Sequence, residues 1–320
     1  MRNVFNFKVW LGVCSLNKFE YTLADVFTTV PFGGNQLAVF ENADGLSEEL
    51  MQKIANELNL SETVFVTSAS SPNKTKRVRI FTPKLELPMA GHPTIGTAHV
   101  LAAKEIIPTK EGRNDLIFEE GIGDIPVTVF KENHRVIKSE MEQPLPEFGE
   151  KLMDLEVAAQ LLSLSIEDID STLPIQTVSS GVPFLFIPIR SLQAIGKIKF
   201  RMDIWEKHFA NIPGRQHIFT FTHETIEANS HIHSRMFAPA MGITEDPATG
   251  GASGPLGAYL IEYGAFPSEE EGVFYIRGEQ GFEMGRPSYI EITLQEENGK
   301  LHSVKVGGTS VIIGSGELYL

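Results

Sequence analysis

The sequence is almost without cysteine, because Cys14 is the only one among its 320 residues. One cysteine cannot form a disulfide within the chain, and it cannot build a cysteine-rich zinc or iron–sulfur site. It also excludes any reaction mechanism that needs two catalytic thiols. Chemistry based on paired cysteines is therefore ruled out before any motif is considered.

The sequence also lacks a long apolar run. No run approaches the roughly 18–20 residues that span a bilayer, so we expect no membrane partner. An apolar stretch at 9–14 resembles a signal peptide only faintly, since lysines bracket it and no small-x-small cleavage site follows. We interpret residues 1–20 as a non-essential extension or an apolar strand packed on the body, and we predict a cytoplasmic protein.

Positive charge is scarce as well. The chain has 27 Lys and Arg against 41 Asp and Glu, which gives a net charge of -14. Such a protein disfavours polyanionic partners, so we expect no nucleic acid partner. The hydrophobic fraction of 42% and the charged fraction of 21% are those of a globular protein. A chain of this length suits two domains of ordinary size.

What the sequence does contain is an internal repeat. Four short segments recur in the same order, at offsets that drift only from about 152 to 159 residues. The matched pairs are Val30-Pro31-Phe32 with Val182-Pro183-Phe184, Val64–Thr67 with Ile218–Phe221, Arg79–Pro83 with Arg235–Pro239, and Glu86–Gly91 with Glu245–Gly250. The repeat predicts two similar α/β units related by a pseudo-twofold axis, with a functional cleft between them.

We place the two halves at residues 21–142 and 147–309, joined near Gln143–Pro146, where the composition is that of a linker. A C-terminal strand at 310–320 is a candidate member of the first half. Ser47 is predicted to cap a helix over 48–58, and a second helix is predicted over 155–162. Strands are predicted at 21–27, 37–40, 64–67, 77–82, 126–130, 135–141, 184–189, 218–221, 232–237, 273–276, 289–294 and 310–313.

In each half a glycine-rich turn leads into a helix, at Ala90–Ala98 and at Ala248–Gly254. Glycines at a helix start let a ligand approach the backbone, where unpaired N–H groups attract anions. Two such helix ends facing each other across a cleft would hold a carboxylate. The alternative is that these glycines only allow close packing of a buried helix. Neither turn is a Walker loop or a dinucleotide fingerprint.

Two acidic residues stand out because the other half has no acid to match them. Alignment of the halves pairs Asp246 with Leu87 and Glu62 with Gln216. A site that needs an acid on one face and a base on the other would show this pattern. Two carboxylates in a dry cleft cannot both ionise easily, so one becomes a proton donor near neutral pH. The alternative for Glu62 is a helix cap or an ion pair with arginine.

Other polar residues give weaker signals. Glu86 and Glu245 are duplicated, which indicates a structural role for both. His92 lies in the first turn and is a candidate acid or a donor to a substrate oxygen. His231 and His233 share one face of a strand and could bind a metal, but no third ligand is evident.

Together these segments resemble the phenazine-biosynthesis-like (PhzF-type) isomerase family, whose relatives include diaminopimelate epimerase. The motifs that carry the resemblance are Asp25–Thr28, Pro31–Val39, Asn59–Thr63, Arg79–Pro83, Ala90–Gly96, Glu245–Gly250 and Gln280–Ser288. They run in order from about Tyr21 to Leu320.

The resemblance implies an α+β fold of two similar diaminopimelate-epimerase-like domains, related by a pseudo-twofold axis. Each would be a curled, mainly antiparallel sheet around a central helix. It also implies a homodimer and a small-molecule carboxylate substrate bound between the domains. No metal, flavin or pyridoxal phosphate cofactor is implied.

The family resemblance further implies individual roles. The glutamate of its Asn-x-Ser-Glu-Thr motif moves the proton, which is Glu62 here, and the aspartate of Glu-Asp-Pro-x-Thr-Gly, here Asp246, assists it. His92 is the third catalytic candidate. The substrate-binding candidates are the backbone amides of Gly91, Gly250 and Gly251, with Asn35 and Gln280 from the opening and closing motifs.

Two features depart from the family pattern. Gly251 stands where the family usually has serine, so a hydroxyl contact is lost while the amide remains, and we expect a substrate different from that of the phenazine enzyme. The two cysteines that the epimerase relatives use are absent from both turns. We predict a cofactor-independent isomerase. An amino- or hydroxy-acid racemase or epimerase, and a non-catalytic ligand-binding or interaction protein, stay open as alternatives.

Overall fold

The computed structural model describes residues 17–268 and 272–320. The predicted apolar segment at 9–14 and Cys14 lie outside these described residues. Among the helices within them, none is long and apolar enough to cross a membrane.

The first half of the chain alternates strands with helices. The elements are β1 Lys18–Val26, β2 Asn35–Phe40, α1 Glu48–Leu58, β3 Glu62–Thr67, β4 Lys76–Phe81, β5 Glu86–Leu87, α2 Gly91–Ala103, β6 Gly112–Glu120, β7 Gly123–Glu132 and β8 Arg135–Glu142. Helix α1 has the predicted bounds, and the amide of Leu50 donates to the hydroxyl of Ser47, which confirms the predicted cap.

The second half follows a similar plan with additional helices. The elements are β9 Glu147–Lys151, α3 Leu155–Leu162, β10 Gln176–Ser179, β11 Pro183–Pro188, α4 Leu192–Gly196, α5 Met202–His208, β12 Ile218–Thr222, β13 Ile232–Ala238, β14 Ile243–Asp246, α6 Gly250–Glu262, β15 Val273–Gln280, β16 Ser288–Glu297, β17 Lys300–Gly308 and β18 Ser310–Tyr319. The predicted helix over 155–162 is confirmed as α3, with Asp154 as its cap. The short helices α4 and α5 are not predicted by the sequence patterns.

The two halves pair their strands in the same way. In the first half β2 is parallel to β3, β3 antiparallel to β4, β4 parallel to β6, and β6, β7 and β8 are antiparallel. In the second half β11, β12, β13, β15, β16 and β17 repeat this sequence of pairings. The parallel pairs arise where a helical crossover intervenes, as α1 does between β2 and β3. The sheet is therefore mixed, with antiparallel pairs in the majority.

The strand register corrects the sequence alignment of the halves. In each half, the phenylalanine of the repeated Arg-x-Phe segment pairs with Thr63 or with Ile218. The counterpart of Glu62, which precedes Thr63, is therefore His217, and the predicted match with Gln216 is wrong by one residue. The second half still has no acid at this position.

The predicted match between Val30-Pro31-Phe32 and Val182-Pro183-Phe184 is also wrong. Phe184 is a buried residue of strand β11. Phe32 lies in the turn before β2, and its side chain is 73% exposed. Three residues of common types are too short a match to identify equivalent positions.

Helices α2 and α6 occupy the interiors of the two halves. Helix α2 is buried on all sides from Gly91 to Ala102, as a helix enclosed by strands must be. It packs against β1, β2, β3, β7 and β8, and α6 packs against β10, β11, β16 and β17. Each half is therefore a sheet that curls around a central helix.

Two further pairings connect the halves. The edge strands β8 and β17 pair antiparallel, so the sheet is continuous between the halves. The C-terminal strand β18 returns to the first half, where it pairs with β1 along its length. Because the chain closes on itself in this way, residues from both halves share one apolar core.

Candidate active site

The central helices begin at the same place, where their N-termini touch. A Cβ atom built on Gly91 would lie 2.5 Å from the carbonyl carbon of Gly250 and from the nitrogen of Gly251. No side chain could be accommodated there, which explains a glycine at the start of α2. Neither helix has a side-chain cap at its N-terminus. Amide groups at both helix starts are therefore available to an anion.

A cleft lies beside these helix starts and encloses about 480 Å³, including the part open to solvent. Both unduplicated acids line it: Glu62 from the start of β3 and Asp246 from the end of β14. The residues lining the cleft also include the turn residues His92, Gly91, Gly250 and Gly251. The fold thus brings the predicted catalytic residues and glycines of both halves into one cavity.

Asp246 is held by hydrogen bonds from both halves. The hydroxyl of Thr249 donates to its Oδ2 atom over 2.6 Å, and the amide of Asn35 donates to its Oδ1 atom over 2.8 Å. The same Asn35 nitrogen lies 2.9 Å from the carbonyl of Ala248 and 3.2 Å from Nδ1 of His92. Asn35 therefore fixes the acid and the histidine relative to each other.

Gln280 holds the second glycine-rich turn through hydrogen bonds. Its amide nitrogen donates to the carbonyl of Asp246 and to the hydroxyl of Thr249, and its oxygen accepts from the amide of Thr249. Neither Gln280 nor Asn35 lines the cleft, although both are predicted to bind substrate. The structure places them one layer behind the residues that do line it.

Glu62 faces His92 across a short distance. The Oε2 atom of Glu62 lies 3.1 Å from the Nε2 atom of His92, and both side chains are buried. The two atoms are not aligned as a hydrogen bond, and neither has another partner among the described residues. Buried polar atoms are normally paired, so these two are candidates to contact a ligand.

Burial shifts the pKa values of all three groups. It lowers the pKa of His92 to about 3, so the imidazole is neutral at physiological pH. It raises the pKa of Glu62 well above the ordinary 4.5, and the charge of Asp246 raises it further. Burial raises the pKa of Asp246 to about 6, against the opposing hydrogen bonds from Thr249 and Asn35. The two carboxyl groups therefore titrate as a coupled unit, with both pKa values above their ordinary range.

The remaining wall of the cleft is apolar and is built by both halves. No lysine or arginine is among the described residues that line it. The apolar lining residues are Leu87, Met89, Val182, Phe184, Met236, Met241 and Ile243. Amide groups at the helix starts and the neutral His92 are therefore the groups in this cleft that could donate to an anion.

The duplicated acids lie outside the cleft in matching ion pairs. Arg79 donates two hydrogen bonds to Glu86, and Arg235 donates two to Glu245. The bidentate geometry is the same in both halves, and each arginine also lies over the phenylalanine two residues later. This arrangement agrees with the structural role that duplication indicated.

The two histidines considered as metal ligands have protein partners. The Nδ1 atom of His231 accepts from the amide of Arg277. His233 is fully buried, with Nδ1 2.8 Å from Glu279 and Nε2 3.0 Å from Glu283. Within residues 17–268 and 272–320, no three His, Cys, Asp or Glu residues are grouped as metal ligands.

Sequence reasoning misses two buried residues beside the turns. The amide of Gln143, which the sequence places at the join of the halves, donates to the carbonyl of Gly250 over 3.0 Å. Glu120 lies under the first turn, where the hydroxyl of Thr94 contacts it over 2.5 Å. A signal for Glu120 is present, since it and Gln280 each precede a glycine at the end of matching strands.

Comparison with known proteins gives a consistent result along the chain. The family described as phenazine biosynthesis-like protein matches residues 24–316. An uncharacterized isomerase of Clostridium acetobutylicum is 37% identical over 95% of this chain and 99% of its own length. The trans-2,3-dihydro-3-hydroxyanthranilate isomerase of Pseudomonas aeruginosa is 32% identical over 94% of this chain and 99% of its own.

Solved structures share the fold. A Bacillus anthracis phenazine biosynthesis protein of the PhzF family superposes with a TM-score of 0.84 at 29% identity, covering 95% of this chain and 100% of that one. A probable proline racemase from Agrobacterium radiobacter has a TM-score of 0.65 at 13% identity, covering 94% and 93%. The second likeness shows the fold alone, which is the α+β fold of this wider group.

Proposed function

The chain belongs to the family of phenazine biosynthesis-like proteins, and from that premise we propose that it is an isomerase acting on a small carboxylic acid without a cofactor. The observation that carries the proposal is the pairing of Glu62 and Asp246 in one cleft, each from a different half. Buried carboxyl groups with raised pKa values are suited to proton transfer at neutral pH.

Glu62 is the acid and base of the proposed reaction. Its carboxylate takes a proton from a substrate carbon as that C–H bond breaks, and the electron pair is delocalised within the substrate. The Glu62 carboxyl then returns the proton to another carbon of the same molecule. The proton count closes and Glu62 is regenerated, so no co-reactant is consumed. Asp246 binds a polar group of the substrate and keeps it beside Glu62.

The carboxylate of the substrate is bound by the two helix starts. Gly91, Gly250 and Gly251 line the cleft at the starts of two helices whose dipoles both favour negative charge there, and their amides are the proposed donors. His92, neutral because burial lowers its pKa to about 3, adds a polar contact. Among the described residues that line the cleft there is no cationic side chain to bind a second anionic group, so we propose a substrate with a single carboxylate.

The body of the substrate is proposed to be largely apolar. The side chains of Leu87, Met89 and Phe184 belong to the apolar wall of the cleft, and they offer a substrate van der Waals contact and no hydrogen-bond partner. The Pseudomonas relative is named for a hydroxyanthranilate substrate with a ring. The glycine at Gly251, in place of the serine expected from the family pattern, supports a related acid with fewer polar groups near α6.

A racemase or epimerase is the second candidate. Two carboxyl groups from opposite halves could act on opposite faces of one carbon, with Glu62 removing a proton and Asp246 returning one. The fold likeness to a proline racemase is compatible with this outcome. The cysteine-based version is not supported, because the described residues that line the cleft include no cysteine.

Deuterium incorporation tests the proposal. Trans-2,3-dihydro-3-hydroxyanthranilate and a panel of related monocarboxylic acids are incubated with the protein in deuterated water and analysed by NMR. Wild type is expected to incorporate deuterium and Glu62→Gln to lose this activity. Glu86→Gln, a glutamate outside the cleft, is the matched control and is expected to keep it. Incorporation that survives Glu62→Gln would contradict the role of Glu62.

The position of the deuterium separates the two candidates. A moved double bond identifies an isomerase, whereas inversion at an otherwise unchanged carbon identifies a racemase or epimerase. The homodimer, the cytoplasmic location and the domain bounds at 21–142 and 147–309 stay predictions.

A further inference from the structure

Strand β6 of the first half and strand β15 of the second end in equivalent positions. They end at Glu120 and Gln280, and a glycine follows each. A Cβ atom built on the first glycine would lie 2.9 Å from the carbonyl oxygen of Pro88, and on the second 2.5 Å from that of Pro247. These prolines occupy matching places before the two turns. Glu120 is therefore the structural counterpart of Gln280.

In the second half the residue at this position is a hydrogen-bond donor. Gln280 donates to the carbonyl of Asp246 over 2.7 Å and to the hydroxyl of Thr249 over 3.0 Å. These bonds fix the backbone that leads into helix α6. A hydrogen-bond donor at the end of strand β15 therefore helps to hold the second turn.

In the first half the same position carries a glutamate that contacts the turn through Thr94. The hydroxyl oxygen of Thr94 lies 2.5 Å from Oε1 of Glu120 and 2.6 Å from the carbonyl oxygen of Ala90. A threonine hydroxyl has one proton, and a carbonyl oxygen only accepts. Both contacts are hydrogen bonds only if Thr94 donates to Ala90 and Glu120 donates to Thr94. An ionised Glu120 would leave one contact as two oxygen atoms without a proton between them.

The other oxygen of Glu120 supports the same protonation state. Its Oε2 atom is buried and has no hydrogen-bond partner among the residues that the structure describes. A charged carboxylate oxygen without a donor would carry a large desolvation cost. Burial also raises the pKa of Glu120 to about 8.

We propose that Glu120 is a positioning residue that is protonated in the folded protein at neutral pH and orients the first anion-binding turn through Thr94. The trans peptide between Ala90 and Gly91 is planar, so its C=O and N–H groups point in opposite directions. When the Thr94 hydroxyl holds the Ala90 carbonyl by a hydrogen bond, the Gly91 N–H is therefore held pointing in the opposite direction. This amide is one that the proposed function assigns to the substrate carboxylate, and the inference deepens that assignment.

The test measures the Gly91 amide without any substrate, by NMR of the nitrogen-15-labelled protein. Glu120→Gln keeps a donor and is expected to leave the Gly91 amide shift and its hydrogen exchange unchanged. Glu120→Leu and Thr94→Val remove the link and are both expected to change them, with at least about fivefold faster exchange. Ser253→Ala is the matched control in α6, since Ser253 donates to the carbonyl of Thr249. Ser253→Ala is expected to change the amide shift and hydrogen exchange of Gly250 and to leave those of Gly91 unchanged.

Infrared spectroscopy tests the protonation state directly. The difference spectrum of wild type minus Glu120→Gln at pH 7 is expected to contain the C=O stretch of a protonated carboxyl group. A carboxylate band in its place would overturn the proposal, as would a Gly91 amide that Thr94→Val leaves unchanged. The infrared result and Thr94→Val decide the matter even where Glu120→Leu does not fold.

Kinetics separates positioning from general stability. With an acid that the deuterium experiment identifies, Thr94→Val is expected to raise KM about fivefold and change kcat little, because the Gly91 amide binds the carboxylate. Glu120→Gln, which keeps a donor to Thr94, is expected to keep the wild-type KM. Equal KM values in Thr94→Val and wild type would remove the link to binding. Because the NMR and infrared measurements use no substrate, failure of the proposed isomerase activity leaves them interpretable.

Discussion

The Oε2 atom of Glu62 lies 3.1 Å from the Nε2 atom of His92, and each atom lacks an aligned hydrogen-bond partner among the described residues. Burial lowers the pKa of His92 to about 3 and raises that of Glu62. The two side chains are therefore uncharged neighbours in the same pH range, and the histidine provides no positive charge to ionise the acid. The reactivity of Glu62 then depends on burial and on Asp246.

The raised pKa of Glu62 determines whether the activity rises or falls with pH. Glu62 must be ionised to remove a proton from carbon, and its raised pKa moves this ionisation above the ordinary pH range of a glutamate. We predict that kcat/KM rises with pH above the ordinary range for a glutamate, and that Glu62→Gln lowers kcat by about 10²–10⁴-fold. The measurement is a pH–rate profile from pH 5 to 9. A flat profile would exclude Glu62 as the base.

Asp246→Asn provides a separate prediction about the coupling of the pair. The charge of Asp246 raises the pKa of Glu62, so its removal is expected to lower that pKa. A carbon-13 NMR titration of labelled glutamate side chains measures this without a substrate. Glu86→Gln, which lies outside the cleft, is the control and leaves the Glu62 titration unchanged. A Glu62 pKa that stays the same in Asp246→Asn would show that the two carboxyl groups do not interact.

The geometry of the two helix starts predicts different effects on stability for substitutions at Gly91 and at Gly251. A Cβ atom on Gly91 would lie 2.5 Å from the backbone of Gly250, whereas one on Gly251 has its nearest atoms at 4.0 Å. Gly91→Ala is expected to lower the free energy of unfolding by about 1–3 kcal/mol and to impair carboxylate binding. Gly251→Ser is expected to change it by less than about 1 kcal/mol.

Urea unfolding compares these two variants with wild type. Similar losses in both would contradict the close approach of the helix N-termini. Because Gly251→Ser also adds a hydroxyl to the cleft, we expect it to change the preference among the acids in the deuterium panel.

The sequence predicts the acids of the site because the chain repeats itself. Glu62 and Asp246 are conspicuous because, for each of them, the other half has no acid at the equivalent position. The alignment of the halves, however, is decided by strand pairing, which makes His217 the counterpart of Glu62. An alignment that is shifted by one residue still matches similar residue types. The sequence alone therefore does not reveal the error, whereas the strand pairing does.

Residues behind the cleft are harder to predict. Asn35 and Gln280 belong to motifs and look like substrate ligands, yet they contact Asp246 and Thr249 instead. Glu120 ends a strand, where a glutamate usually faces solvent, and its burial depends on the turn that folds over it. The contacts of such supporting residues form only in the folded chain, so a local pattern can mark their positions without giving their roles.

The protonation of Glu120 has a consequence for stability that can be measured. In the unfolded chain this carboxyl has its ordinary pKa of 4.5, and burial raises the folded-state pKa to about 8. A group whose pKa is raised on folding stabilises the protein below the unfolded pKa, and this contribution is lost as pH rises through the folded pKa. Between about pH 4.5 and 8, the folded state therefore binds one more proton than the unfolded state.

Glu120→Gln removes this linked titration. Relative to the variant, wild type is expected to lose about 1.4 kcal/mol of unfolding free energy per pH unit within that window. Urea unfolding of both proteins at pH 5, 6, 7 and 8 measures the difference, which should grow steadily in favour of Glu120→Gln and level off above pH 8. A difference that is constant with pH would mean that Glu120 ionises normally in the folded protein. Because a charged Glu120 could not donate to Thr94, that result would also remove the physical basis for its positioning of the first turn.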